Sequence, residues 1–237
     1  MDFGKPCRRR LFLLTYAKKD LLFNLLLMHL SWLGISSFKI ETKDAVLVTD
    51  PFSPKVSKKP MRAKADLVII SRFGDSVHGH IDAIQGEPFV IDHPGEFELK
   101  EVFVQGTAIP MKDPTKTTTI FSLDIEDMRL VHLGNLETIP SADILEKLDG
   151  VDILLLPVGG TGLDLKQAVK LVNEIEPRVV VPMHYAQDGV DVGAKLGTVT
   201  AFLKEMGASN VKPIDRMLFK KKDLPAEEET QVIVFSS

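Results

Sequence analysis

Cysteine is nearly absent from this chain: of 237 residues only Cys7 carries a thiol. That excludes an internal disulfide framework, fits a reducing, cytoplasmic compartment, and leaves any metal site to His, Asp and Glu, donors that suit zinc, iron or manganese. Strong charge of either sign is also missing. A net charge of −4 argues against a nucleic-acid surface. The longest uncharged run, residues 21–38, is broken by Asn24, His29, Ser31, Ser36 and Ser37 and is not the continuous apolar stretch that a membrane span needs. No internal repeat or low-complexity tract appears. What is present is 44% apolar and 26% charged residues, the balance of a soluble globular chain long enough to bury a real core.

The charge is unevenly placed. Residues 1–28 carry +4, leaving −8 for the remainder. The leader reads "RRRLFLLTYAKKDLLFNLLLMHL", a basic start followed by leucines, but Lys18, Lys19 and Asp20 cut its apolar run and no small-residue cleavage site follows. Residues 1–27 are expected to be an extension or surface helix, with membrane contact as the alternative, and residues 28–237 to be the functional domain.

Along that domain, "HLSWLGISSFKIE" and "AVLVTDPF" read as β-runs joined through "TKD" as a hairpin. "ADLVIIS" has the continuous apolar pattern of a strand buried on both faces. "EPFVID", "GEFELK", "EVFVQGTAI", "TTTIFSLDIED" and "MRLVHLG" form a series of short strands with turn residues between them. After Pro140, apolar strands alternate with helical periods. "SADILEKLDG" has Ser141 as N-cap, "VDILLLPVGG" is a strand, and "TGLDLKQAVKLVNEIEP" is a helix with Thr161 and Asp164 in capping-box spacing. "RVVVPMHY", "TVTAFLKEMGA" and "TQVIVFS" follow as strand, helix and closing strand. One α/β domain of sheets covered by helices accounts for the pattern.

Polar residues sit repeatedly just past the ends of the buried strands. They are Asp50 after "AVLVT", the segment "SRFGDSVHGHID" (71–82) after "ADLVII", His132 in "MRLVHLGN" and His184 in "VVVPMHY". Strand ends on a rigid sheet are where loops converge to build sites. Other polar residues have plainer readings. Glu96 and Glu98 lie two apart on one strand face, "PVGGTG" makes a tight strand-to-helix turn, and His93 before Pro94 is a turn residue.

Taken in order, "WLGISSFKIE", "VLVTDPF", "ADLVIIS", "GEPFVIDHPGEFEL", "VHLGN", "LLLPVGGT", "IEPRVVVPMHY" and the closing "KKKDLPAEEETQVIVF" resemble the metallo-β-lactamase fold superfamily, in particular its small bacterial branch of zinc-dependent hydrolases. The resemblance implies an αββα four-layer sandwich with its site at the edge between two sheets. It also implies a ligand motif, HxHxDH, directly after "ADLVIIS". Set from Ser71, the four ligand places fall on Arg72, Gly74, Ser76 and Val77; set backwards from "GEPFVID", they fall on Phe73, Asp75, Val77 and His78. Gly34, Ile35 and Ser36 stand where that branch has GHS, and Asn135 stands where it has the aspartate of HLGD. His132 and His184 occupy family histidine places. A displaced motif, "HGHID" from His78 to Asp82, is the alternative reading of the loop.

The expectation is therefore a superfamily member with a largely lost two-metal site, non-catalytic or ligand-binding, with Arg72 and Phe73 filling the former metal pocket. The alternative is a metal-dependent hydrolase of an ester, amide or phosphoester with a single altered site. His78, His132 and His184 are the candidate metal ligands, holding one weakly bound zinc, iron or manganese, or none. Asp50, Arg72 and Asp75 are the candidate catalytic residues. The partner is a small molecule of unnamed class, not nucleic acid.

Overall fold

A computed structural model describes residues 27–59, 61–75 and 77–236; the leader before Trp32's strand therefore lies, for residues 1–26, outside the described residues. Strands β1 (Met28–Gly34) and β2 (Ser37–Glu41) share the run that reads as one in the sequence. The break falls at Gly34 and Ile35, both at positive φ (119° and 57°). A β-branched residue in that region is unusual, so nothing local announces the turn. β3 (Val46–Thr49) then pairs antiparallel with β2. The "TKD" turn is as expected: Thr42 N–H donates to the Ala45 carbonyl at 2.9 Å, and the Thr42 hydroxyl oxygen accepts from Ala45 N–H at 2.9 Å.

After the short β4 (Ala63–Lys64) comes β5 (Leu67–Ile69), wholly buried. β6 (Ile84–Gln85) pairs with β4, and β7 (Phe89–Ile91) is parallel to β5 on the side away from β3. β5 is thus flanked by parallel neighbours, which explains its unbroken apolar run. The chain next crosses to a second sheet. β8 (Gly95–Leu99), β9 (Val102–Pro110), β10 (Thr117–Ile125) and β11 (Met128–His132) make an antiparallel meander.

The rest alternates. Helix α1 (Ala142–Glu146) leads to β12 (Ile153–Pro157), α2 (Leu165–Ile175) to β13 (Val179–Met183), and α3 (Val199–Glu205) to β14 (Arg216–Phe219) and β15 (Gln231–Val232). β11, β12, β13 and β15 run parallel. The strand orders are β14-β1-β2-β3-β5-β7 and β15-β13-β12-β11-β10-β9-β8. One helix start agrees with the sequence reading in its N-cap residue, and the other differs. Ser141 sits at the N-cap of α1 without a side-chain bond. The capping box of α2 is Asp164 with Gln167, one turn later than Thr161 and Asp164. Only residues 231–232 of the closing segment pair as a strand.

The two sheets close on one core. Leu47, Leu67, Ile69 and Ile91 of the first sheet meet Val104, Phe121 and Leu130 of the second, and Ala168, Leu171, Val172 and Phe202 bring the helices into the same cluster. The alternate residues Val48, Val68 and Ile70 face the other way and pack with Phe52, Met61, Ala63, Ala65 and Ile84. The sandwich is the expected one, with helices as one outer layer. Among the described residues, the other outer layer, over the first sheet, is made from loop segments and a 3-10 turn at Ile81–Ala83 rather than from an α-helix. Among the described residues no helix is long and apolar enough to cross a membrane.

Candidate functional site

Five chain segments meet where the parallel strands end. The turn 35–36 arrives from β1, Asp50 from β3, the loop beginning at Ser71 from β5, the segment 132–137 from β11 and His184 from β13. Close backbone approach holds them together. His184, at φ 53°, donates its N–H to the Ile35 carbonyl at 2.8 Å, and Ile35 N–H donates to Gln187 Oε1 at 2.9 Å. A Cβ on Gly159 would collide with the His184 carbonyl, and one on Gly134 (φ 57°) would strike Ser71. Those two glycines let the loops touch.

His78 and His184 come together. Both are buried, at 2% exposure each, with ring centroids 5.2 Å apart and planes at 21°. None of their four ring nitrogens has a hydrogen-bond partner among the described residues. His78 Nδ1 lies 3.4 Å from Asp75 Oδ2 without making a hydrogen bond. Burial, then the neighbouring His78 and the Arg72 guanidinium, push His184 down to about 3, so it is neutral at pH 7. Burial works against the charge of Asp75. The His78 imidazole, the Val77 N–H and the Arg72 guanidinium outweigh it and hold that carboxyl well below the usual range.

His132, expected as a ligand, has no nitrogen to spare. Its Nε2–H donates to the Ser36 carbonyl at 2.8 Å, and its Nδ1 accepts from Gly134 N–H at 3.1 Å. A carbonyl only accepts and an amide N–H only donates, so the tautomer is fixed and the ring neutral. Burial accordingly pushes its pKa down. Asp50 is likewise a bracket rather than an open carboxylate. At φ 37° and fully buried, it accepts from Ser71 N–H at 2.6 Å and from the Ser71 hydroxyl at 2.7 Å, tying the ends of β3 and β5 together.

Arg72 and Phe73 are placed differently. Phe73 is 72% exposed, pointing away from the pocket it was expected to fill. The Arg72 guanidinium donates to Glu137 Oε1 at 3.0 Å and to the Asn135 carbonyl at 3.0 Å, and reaches Asp75 Oδ2 at 3.5 Å. Asn135 turns its amide oxygen to the Thr161 hydroxyl at 3.3 Å. The displaced motif is not assembled: His78 goes inward, His80 is tied by its backbone to Pro51, and Asp82 is exposed. Sequence reasoning missed Glu137 and Ser71. Glu137, two residues past Asn135, was the nearest carboxylate to that family position, and Ser71 opens the loop.

Two sheets packed face to face with a site at the strand ends define the metallo-β-lactamase fold. The Beta-lactamase superfamily domain matches residues 29–184, and the chain belongs to that superfamily. A UPF0173 protein of Pyrococcus abyssi is 30% identical over 192 residues, covering 68% of this chain and 85% of the relative. A UPF0173 metal-dependent hydrolase of Bacillus mycoides is 27% identical over 225 residues, covering 77% and 99%. Among solved structures, one described as a Zn-dependent hydrolase of the metallo-β-lactamase superfamily from Thermotoga maritima aligns with TM-score 0.71 and 26% identity, over 88% of this chain and 100% of that one.

Those names point to metal, and the donor set can be tested for it. A bridged two-metal centre does not fit these residues. The nitrogens of His132 and the oxygens of Asp50 are bonded within the protein, Asn135 offers an amide directed elsewhere, and Asp75 is shared by Arg72 and Val77 N–H. Among the described residues no group of three or more His, Cys, Asp or Glu side chains is placed to hold an ion. The unbonded part of the set is the pair of imidazoles.

Proposed function

We propose that this chain is a ligand-binding member of the superfamily in which the Arg72 guanidinium takes the electrostatic place of a metal. The observation that carries this reading is the position of that cation, bound to Glu137, Asn135 O and Asp75 between the loops after β5 and β11. One guanidinium balances part of the charge of two carboxylates, and it repels any further cation brought beside it. His132 and Asp50 act as braces that fix the loops. The domain begins at Met28, the compartment is the cytoplasm and the ligand is a small molecule.

A second reading is favoured by the four unpartnered nitrogens of His78 and His184, since burying such groups without a partner costs roughly 1–3 kcal/mol each. In it, those two rings would hold one zinc, iron or manganese, with Asp75 completing the shell once released from Arg72, and the ion would supply a water ionised near neutral pH for attack on an ester, amide or phosphoester. Elemental analysis of protein purified without chelator separates the readings. We expect well under one metal per chain; one per chain selects the single-site hydrolase, and two per chain refutes both.

A further inference from the structure

A cavity of about 560 Å3 opens beside the Arg72 loop, between it, the β7–β8 corner and the β9–β10 hairpin. Its size is that of a small-ligand site. Two carboxylates line it, and both are engaged: Asp75 by Arg72 and Val77 N–H, Asp92 by His93 Nδ1 at 2.9 Å. The positive groups are less fully used. Lys116 stands at the hairpin with its side chain 67% exposed and only a 3.8 Å contact to Asp113. The Nε of Arg72 is buried without a hydrogen-bond partner among the described residues. Ser71, His93, Thr117 and Thr119 add polar groups to the lining, and its apolar part is Phe73, Pro94 and Met111. Phe73 follows Arg72 directly and precedes Gly74, at φ 76°, so an exposed aromatic ring is carried at the rim of a site whose spare groups are donors.

Resting on the ligand-binding reading above, we infer that this cavity takes an organic oxyanion: a carboxylate or phosphate met by Lys116 and the Arg72 side, attached to an apolar or aromatic body that packs on Phe73, Pro94 and Met111. A cationic ligand finds no unengaged carboxylate among the residues that line the cavity. A bare inorganic anion leaves the apolar walls uncovered. Both parts of the ligand are needed because one cation alone at an exposed site binds weakly, while aromatic packing adds area without charge.

The test is calorimetric titration of the full chain, after dialysis against chelator, with phenyl phosphate, and with inorganic phosphate, phenol and benzylamine as comparators. Phenyl phosphate is expected to bind saturably, with inorganic phosphate and phenol each at least about tenfold weaker and benzylamine not binding. Lys116→Gln should weaken phenyl phosphate by about tenfold, and Phe73→Ala should weaken it several-fold while leaving inorganic phosphate unchanged. Both side chains are exposed, and their unfolding midpoints serve as the control for folding. Benzylamine binding as tightly as phenyl phosphate, no saturable phenyl phosphate binding, or indifference to both substitutions overturns the inference. The metal content of the same samples is read separately. Two metals per chain with Lys116- and Phe73-dependent binding would refute the reading of the site and support the ligand class.

Discussion

If Arg72 stands in a metal's place, replacing it by histidine should exchange a resident cation for a metal donor. Two effects of Arg72→His can be worked from the structure. The guanidinium, 17% exposed, serves Glu137 (17%) and Asp75 (20%) with one 3.0 Å and one 3.5 Å contact, and the Asn135 carbonyl at 3.0 Å. Losing charge-assisted contacts to partly buried carboxylates should cost about 2 kcal/mol, or on the order of 5 °C in melting temperature for a domain of this size. The second effect has the opposite sign. The Arg72 charge already acts on His184, and a unit charge opposes a nearby dication by on the order of a few kcal/mol at an effective dielectric of about 20. Removing that charge beside His78 and His184, and adding a third imidazole, should raise zinc affinity on the order of a thousandfold. The assay is zinc competition against a chromophoric chelator, paired with calorimetric melting with and without zinc. The variant should melt below the parent without zinc and recover when zinc is added, since a ligand at a thousand times its Kd contributes about 4 kcal/mol. If the variant binds zinc no more tightly than the parent, or the parent is stabilised to the same degree, the placement of Arg72 as a substitute cation is wrong.

Three further outcomes are expected. His132→Ala should lower unfolding stability by about 3 kcal/mol in urea, because it strands the Ser36 carbonyl and Gly134 N–H in a fully buried place; a loss under about 1 kcal/mol would show that the imidazole is not a brace. Asp50→Ala should cost about 2–3 kcal/mol by cutting both Ser71 bonds and leaving alanine at φ 37°, and a near-neutral result would refute its bracing role. Stability should also fall as pH drops below about 6.5. The unfolded chain then takes up protons at His132 and His184 that the fold refuses, each contributing about 1.4 kcal/mol per pH unit. For His184 that window runs down to about 3. Asp50, 3.8 Å from His132, moderates the effect there without reversing it. A urea midpoint flat between pH 6.5 and 5 would contradict the neutral assignment of both rings.

The strands were readable because their signals are local or periodic. The unbroken run at 67–69 meant burial on both faces, and the turn residues between 95 and 132 meant a meander. The Gly34–Ile35 break was not readable, because an isoleucine held at positive φ by His184 and Gln187 is a tertiary outcome. The site divided in the same way. That the 71–82 loop should meet His184 follows from strand-end topology, and it places His78 there. Whether a histidine is a ligand or a brace depends on what lies within 3 Å of each nitrogen, which no spacing reveals. His132 and His184 have equal claims on paper and opposite surroundings in the fold. Phe73 and Arg72 are neighbours, yet one is 72% exposed and the other 17% at its side chain.

The irregular layer over the first sheet has a consequence for exchange with solvent. Segments 51–59, 61–66 and 77–84 cover Val48, Val68 and Ile70, and the last of these also holds His78 against His184. Loops open more readily than helices because fewer backbone bonds must break together. An excursion that peels residues 77–84 away would therefore wet one face of β3 and β5 and separate the two imidazoles in the same event. The cover over β5 and the integrity of the site share one opening reaction, so deuterium uptake at the His80 amide, bonded to the Pro51 carbonyl, reports on the site.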